Sequence, residues 1–273
     1  MQDLESKLER VRALIAGLGS VVVAYSGGVD STLLLALSLE ALGPERVLAV
    51  TARSETYPES ELQEAEAVAR ALGARWRPVD THELDDPRFA GNPPDRCYFC
   101  KQELFGDLQQ IARQEGLKAV VYGASVDDLG DFRPGMRAAQ EAGARAPLLE
   151  AGLTKEDIRT ASRQRDLPTW DKPAMACLAS RFPYGTPLTP AALQRVGAAE
   201  DFLRREIGLR QFRVRHHDPV ARLEVAREEW NRVLAGEARE RIVARLRELG
   251  YLFVALDLAG FRSGSLNDAL RKD

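Results

Sequence analysis

Residues 21–43, VVVAYSGGVDSTLLLALSLEALG, constrain the fold more than any other stretch of the chain. VVVAY (21–25) is a short, continuous apolar run, the pattern of a parallel strand buried on both faces. Two adjacent glycines follow, and then an apolar helical segment (31–43) that ends at a glycine. The same grammar repeats downstream. ERVLAVTA (45–52), ARWRPVD (74–80) and KAVVYGAS (118–125) read as strands, and SELQEAEAVARALG (60–73) and FCKQELFGDLQQIARQEG (99–116) read as helices. Strand–helix alternation of this kind specifies an α/β fold, a doubly wound parallel sheet with helices on both faces.

Two further helices belong with this region. MQDLESKLERVRALIAGLGS places Leu4, Leu8, Val11 and Leu14 near one face, as an amphipathic surface helix does. LTKEDIRTASRQRDL (153–167) offers Thr154 as a cap with Asp157 three residues on. The pattern changes at residue 168, where PTWDKPAMACLASRFPYGTPLTP is dense in proline and reads as an ordered loop. Beyond it, a helix from 190, alternating QFRVRHH and VARLEVA, a helical REEWNRVLAGEARERIVARLRELG and a final YLFVALDL describe a small C-terminal α+β domain. The expected organisation is therefore a first domain at 1–167, a cysteine-bearing linker at 168–189 and the α+β domain at 190–273.

The composition, with 45% hydrophobic and 29% charged residues, is that of an ordinary globular protein. No apolar run reaches the ~18 residues of a membrane span. The N-terminal residues have neither the basic start nor the apolar core of a secretory signal, so a cytoplasmic location without membrane contact is expected. A formal net charge of −3 gives no general attraction to polyanions, which disfavours nucleic acid as a partner.

AYSGGVDST (24–32) carries the sharpest chemistry. Gly27 and Gly28 let the backbone turn tightly and present N–H groups to an anion, beside the positive N-terminal end of the next helix. Ala24 opens the motif at the end of the strand segment, and Ser26, Ser31 and Thr32 add hydroxyl donors. Asp30 is expected to bind the Mg²⁺ that accompanies a nucleotide, or to cap the helix. The chain contains no G-x-x-x-x-G-K-[ST], and GGVDS lacks the third glycine of a dinucleotide loop. SGGVDS instead resembles the PP-loop of the ATP pyrophosphatases, which split ATP between its α- and β-phosphates. That resemblance implies a place near adenine for the end of the second strand, including Thr51. It also implies that the site is closed by the end of the fourth strand, Gly123, with Asp127 beyond it.

The three cysteines are Cys97, Cys100 and Cys177. An odd number argues against a disulfide framework and toward metal or catalytic chemistry. RCYFCK (96–101) sets two thiols at the spacing that lets one turn deliver both to a soft metal or iron–sulfur centre. A redox pair, half of a structural zinc site and plain burial remain alternatives for such residues. Arg213 and Arg215, two apart on an expected strand, point to one face and form a natural fork for phosphate or carboxylate.

Five separated blocks, SGGVDST, NPPDRCYFCK, KPAMACLASRFPYG, FRVRHH with ARLEV, and GFRSGSLN, together resemble the LarE family of sulfur transferases over almost the whole chain. The resemblance implies adenylation of the carboxylates of a pyridinium mononucleotide, with release of pyrophosphate, and their conversion to thiocarboxylates for the nickel-pincer cofactor. It implies that Ser180, Arg181, Arg213, Arg215 and Arg262 meet the substrate, that Glu224 binds a cation or the substrate, and that Cys177 is catalytic. Family members with three cysteines hold a [4Fe-4S] cluster, here on Cys97, Cys100 and Cys177. Members with the single cysteine matching Cys177 sacrifice its sulfur and keep dehydroalanine. ATP and Mg²⁺ are the implied cofactors, a sulfide or cysteine-derived sulfur the donor, and a homo-oligomer the assembly. A tRNA thiolation enzyme of the same superfamily is the rival expectation.

Overall fold

A computed structural model describes residues 2–130, 133–173, 176–262 and 264–270. Along the chain run α1 (Gln2–Leu18), β1 (Val21–Ala24), α2 (Val29–Leu42), β2 (Val47–Arg53), α3 (Glu59–Ala71), β3 (Arg75–Asp80), α4 (Pro87–Ala90), α5 (Arg96–Gln114), β4 (Ala119–Tyr122), α6 (Pro134–Glu141), α7 (Pro147–Glu150) and α8 (Lys155–Gln164). They are followed by α9 (Pro190–Arg205), β5 (Phe212–His217), β6 (Val220–Val225), α10 (Trp230–Leu234), α11 (Gly236–Glu248) and β7 (Phe253–Leu256). Two compact units result: residues 1–89 with 94–174, and residues 90–93 with 175–273.

In the first unit, the described strands form a sheet in the order β3-β2-β1-β4, parallel at every pairing. β1 alternates between two cores, as a strand buried on both faces must. Val21 and Val23 join Leu8, Val11 and Ile15 of α1, Leu33 and Leu37 of α2, and Ile158 of α8. Val22 joins Leu104, Phe105 and Leu108 of α5 on the opposite face. The expected doubly wound α/β sheet is present. Leu33, Leu34, Leu35 and Leu37 of α2 are all fully buried, each stabilising the fold by about 1.5–3 kcal/mol. α8 opens with the expected capping box: Thr154 accepts from the N–H of Asp157, and Asp157 accepts from the N–H of Thr154.

α2 begins two residues earlier than the apolar pattern predicts. Gly28 is its N-cap, without a side-chain cap, so Asp30 lies inside the first turn. The capping role expected as an alternative for Asp30 is therefore corrected.

The second unit carries a three-stranded sheet in the order β5-β6-β7, antiparallel between β5 and β6 and parallel between β6 and β7. α9 opens at Thr189, whose hydroxyl accepts from the N–H of Ala192, with Pro190 at the first helical position. The predicted long helix after β6 is interrupted, and α10 and α11 are separated at Ala235. Among the described residues, no helix is long and apolar enough to cross a membrane.

Candidate active site

The order β3-β2-β1-β4 reverses direction at β1, so the crevice beyond the carboxyl ends of β1 and β4 is the topological switch point of the sheet. The SGGVDS loop leaves β1 at that point, and Gly123 leaves β4 beside it. A Cβ on Gly123 would stand 2.9 Å from the Ser31 nitrogen and 3.0 Å from the Asp30 carbonyl carbon. Only glycine lets the end of β4 come this close to the start of α2. Gly27 has φ +65°, and a Cβ there would lie 2.9 Å from the Ala65 Cβ of α3. The two positions need glycine for different reasons: one for backbone contact, the other for a left-handed turn as well.

Hydroxyls brace the loop internally. The N–H of Ser26 donates to Ser31 Oγ at 3.2 Å, the Ser26 and Ser31 hydroxyls meet at 3.1 Å, and Ser31 Oγ donates to the Gly28 carbonyl. Tyr57, from the segment before α3, donates its hydroxyl to the Ser26 carbonyl at 2.7 Å. Thr32 is fully buried with its hydroxyl 3.4 Å from that of Tyr25, which makes it part of the loop's foundation. Thr51 is also buried, and its hydroxyl accepts from the Trp76 indole.

Asp30 ends in two unequal oxygens. Oδ2 lies 2.5 Å from Lys155 Nζ, whereas Oδ1 is buried without a hydrogen-bond partner. An orphaned carboxylate oxygen beside an anion cradle fits a divalent cation carried by nucleotide phosphates. The N–H of Lys155 donates to Asp127 Oδ2 at 2.7 Å, so one residue at the start of α8 ties Asp30 to Asp127. Asp128 turns inward instead and accepts from the N–H and hydroxyl of Ser125. Lys155 and Tyr57 were missed by the motif. Lys155 stands at the first position of a well-capped helix, a signal visible in LTKED but read only as structural.

Cys97 and Cys100 lie on the first turn of α5, both half-buried. That turn packs on α6, where a Cβ on Gly135 would lie 3.4 Å from the Cys97 carbonyl, and Arg137 stacks over the Tyr98 ring. None of the three cysteines forms a disulfide. The pair fits a soft metal in donor type and spacing. Among the described residues, no group of three or more His, Cys, Asp or Glu side chains is placed to hold a metal ion.

In the second unit, Cys177 is half-buried and caps a short 3-10 turn, Leu178–Arg181. Arg181 is 1% exposed and forks onto Glu200 of α9, Nε at 2.9 Å and Nη2 at 2.7 Å. Glu200 also accepts from the N–H of Val214 on β5. Burial alone would push the Glu200 carboxyl up, but the Arg181 guanidinium and the Val214 N–H outweigh it and hold it below the usual carboxylate range. Arg215 donates to the Ser180 carbonyl at 2.5 Å, to Glu224 at 2.7 Å and to Ser265 Oγ at 2.7 Å. Arg213 stacks over Phe261 and donates to the Phe212 carbonyl. Burial, with the Arg181 and Arg215 charges adding to it, pushes the Arg213 guanidinium down to about 10. A cation destabilised in this way favours a neighbouring anion. Arg262 is exposed and pairs with Asp268 at 2.8 Å. Hydrogen bonds join Ser180, Arg181, Arg215 and Glu224 of the expected set into one network with Glu200, which the sequence did not single out, and Arg213 acts on that network through its charge.

Comparison with known proteins places this architecture. The NAD synthase family matches residues 4–89, the segment that contains the phosphate loop. An NH(3)-dependent NAD(+) synthetase of Pyrobaculum aerophilum is 45% identical over 80 residues, 29% of this chain and 30% of its own. Two relatives extend over the whole molecule. An uncharacterised protein of Synechocystis sp. is 44% identical over 269 residues, 98% of this chain and 100% of its own. The pyridinium-3,5-bisthiocarboxylic acid mononucleotide synthase of Lactiplantibacillus plantarum is 39% identical over 272 residues, 100% of this chain and 98% of its own. With a PP-loop at the switch point of its sheet and full-length identity of this order, the chain belongs to the LarE family of ATP-dependent sulfur transferases.

Proposed function

We propose that the chain adenylates the carboxylates of a pyridinium-3,5-biscarboxylic acid mononucleotide and converts them to thiocarboxylates for the nickel-pincer cofactor. The observation that carries this is the presence, in one chain, of a phosphate cradle and of a cysteine loop framed by arginines. The Lactiplantibacillus plantarum relative, a pyridinium-3,5-bisthiocarboxylic acid mononucleotide synthase, supports the substrate class.

In this mechanism the triphosphate lies against the N–H groups of residues 26–31 and the start of α2, with Ala24, Thr51, Gly123 and Asp127 around the nucleotide. A substrate carboxylate attacks the α-phosphorus, and pyrophosphate leaves toward the loop, whose fixed N–H dipoles stabilise the developing charge. Asp30 would hold Mg²⁺ through Oδ1, and the ion would neutralise phosphate charge. Arg213 and Arg262 meet the substrate's phosphate and remaining carboxylate, and Arg181 and Arg215 add positive field from behind. Sulfur presented at Cys177 then displaces AMP from the acyl carbon.

The iron–sulfur assignment belongs to the same proposal. Cys97, Cys100 and Cys177 would hold a [4Fe-4S] cluster, which when bound would supply an open iron site for a sulfide donor. Direct use of the Cys177 sulfur is the alternative source. A cytoplasmic homo-oligomer without nucleic-acid partners completes the reading.

Pyrophosphate release measured with the pyridinium mononucleotide, with bulk tRNA and with neither tests the function. Release that depends on the mononucleotide is expected, and release that depends on tRNA overturns the substrate. Iron analysis after anaerobic reconstitution, with the mass of the Cys177 peptide after turnover, separates the sulfur sources. About four irons per chain supports the cluster. A colourless protein that loses sulfur at Cys177 ends it.

A further inference from the structure

We propose that Arg181 is a positioning residue for Cys177, aimed by Glu200, and that the two act on the peptide backbone of the sulfur-bearing loop. The inference rests on the reading that Cys177 presents the sulfur. It changes the role of Arg181 from ligand of the substrate anion to clamp.

The donors of Arg181 are engaged inside the protein. Nε and Nη2 lie on Glu200, and Nη1 donates to the carbonyls of Ala176 at 2.7 Å and Cys177 at 3.2 Å and to Ser180 Oγ at 2.9 Å. With the side chain 1% exposed, an incoming phosphate or carboxylate would have to displace Glu200 or the loop itself to reach the fork. The carbonyl of Cys177 gathers three donors: Arg181 Nη1, the Ser180 N–H at 3.0 Å and Ser180 Oγ at 2.8 Å. From the other end, Arg215, backed by Glu224 and Ser265, holds the Ser180 carbonyl. Carbonyls 176, 177 and 180 are thus fixed by two guanidiniums, each with a buried glutamate behind it, while the half-buried Cys177 side chain carries none of these bonds.

Such an arrangement has a chemical use. A nucleophile must meet an adenylated carboxylate at a defined distance and angle, and misplacement by about 1 Å costs roughly 100-fold in rate. A neutral amide network would hold the loop less tightly than charge-assisted bonds in a buried site. Lysine in place of Arg181 would keep the charge and lose the fork, so it cannot hold Glu200 and the carbonyls together.

The test compares wild type, Arg181→Lys and Ser180→Ala, using the full chain. Three quantities are read: KM for the pyridinium mononucleotide in pyrophosphate release, single-turnover sulfur transfer, and the iodoacetamide alkylation rate of each cysteine by peptide mass. For Arg181→Lys, sulfur transfer should fall about 100-fold, with KM changing by less than about threefold. Cys177 should alkylate faster while Cys97 and Cys100 keep their rates. A KM raised about tenfold or more, with Cys177 alkylation unchanged, shows that Arg181 binds the substrate and overturns the proposal. If Arg181→Lys does not fold, Ser180→Ala removes one donor from the Cys177 carbonyl from a partly exposed position. It should show the same pattern in smaller degree, and unchanged transfer and alkylation would overturn the clamp. The alkylation arm needs no sulfur transfer. A wild-type chain that transfers no sulfur therefore refutes the function, while Cys177 alkylation still decides the clamp.

Discussion

The two units build their sites from different materials. In the first unit the chemistry is carried by backbone: two glycines, a run of N–H groups, the start of α2 and the end of β4, with hydroxyls bracing the turn. In the second it is carried by long charged side chains, buried and paired, with Arg181–Glu200 and Arg215–Glu224 at its centre. A backbone site is specified by what must be absent, since any Cβ at Gly123 would collide with α2. A side-chain site is specified by partners, since a buried guanidinium without its carboxylate is strongly destabilising. The first should therefore fail through small steric additions, and the second through removal of charge.

The largest effect is expected at the backbone site. Gly123→Ala puts a methyl against the Ser31 nitrogen and the Asp30 carbonyl carbon, atoms that cannot yield without moving the loop. Overpacking of this kind costs about 1–3 kcal/mol of stability. Displacing the cradle by a fraction of an ångström should lower pyrophosphate release about 100-fold, measured in steady state with saturating ATP. A variant that keeps wild-type turnover would show that the approach of β4 to α2 is tolerated rather than used, and the contrast between the units would lose its first half.

Next comes Arg213, whose guanidinium is pushed down by burial and by the charges of Arg181 and Arg215. Arg213→Ala should raise KM for the mononucleotide by an amount corresponding to about 1.5–3 kcal/mol, the worth of a hydrogen bond to a charged group. The Kd for ATP should stay unchanged, since the residue belongs to the second unit. Isothermal titration with each ligand separates the two. Equal loss for both would mean that the side-chain unit serves the nucleotide as well.

The same contrast explains what the sequence made legible. The parallel sheet, its two faces and the phosphate loop could be read because each rests on local pattern: apolar runs for buried strands, adjacent glycines for a turn, Thr154 and Asp157 for a capping box. Helix starts were less legible. Val29 and Asp30 enter α2 because Gly28, which carries no capping side chain, takes the N-cap position, where the pattern offers Ser and Asp as more obvious caps. The arginines were legible as charge but not as geometry. Nothing in FRVRHH or CLASR says that Arg181 will fork onto Glu200, because that pairing depends on how α9 lies against β5. Lys155 hid for the same reason: its ammonium finds Asp30 only once α8 is set beside the loop.

The smallest effect concerns acid. His216 is buried in the second unit, its Nδ1 3.0 Å from the Tyr251 hydroxyl and its ring 4.7 Å from that of Phe182. Burial pushes its imidazole below the ordinary value, with Asp218 opposing and Arg195 adding to the shift. Well above about pH 6.5, the imidazole is neutral folded and unfolded and contributes no slope. As the pH falls below that value, the unfolded chain takes up a proton that the folded chain refuses, so stability drops until the depressed folded value is passed. Urea midpoints of wild type between pH 7.5 and 5 should therefore decline more steeply than those of His216→Gln, which lacks the titrating group. His82, exposed in the first unit, is the control, since its replacement by glutamine removes a histidine without touching this packing. Parallel declines for wild type and His216→Gln would place the acid sensitivity elsewhere in the unit, in His217, whose imidazole burial and the Arg222 charge also push down, or in Glu200. A His217→Gln variant separates these two, since it removes the second depressed imidazole and leaves the Arg181–Glu200 pair in place.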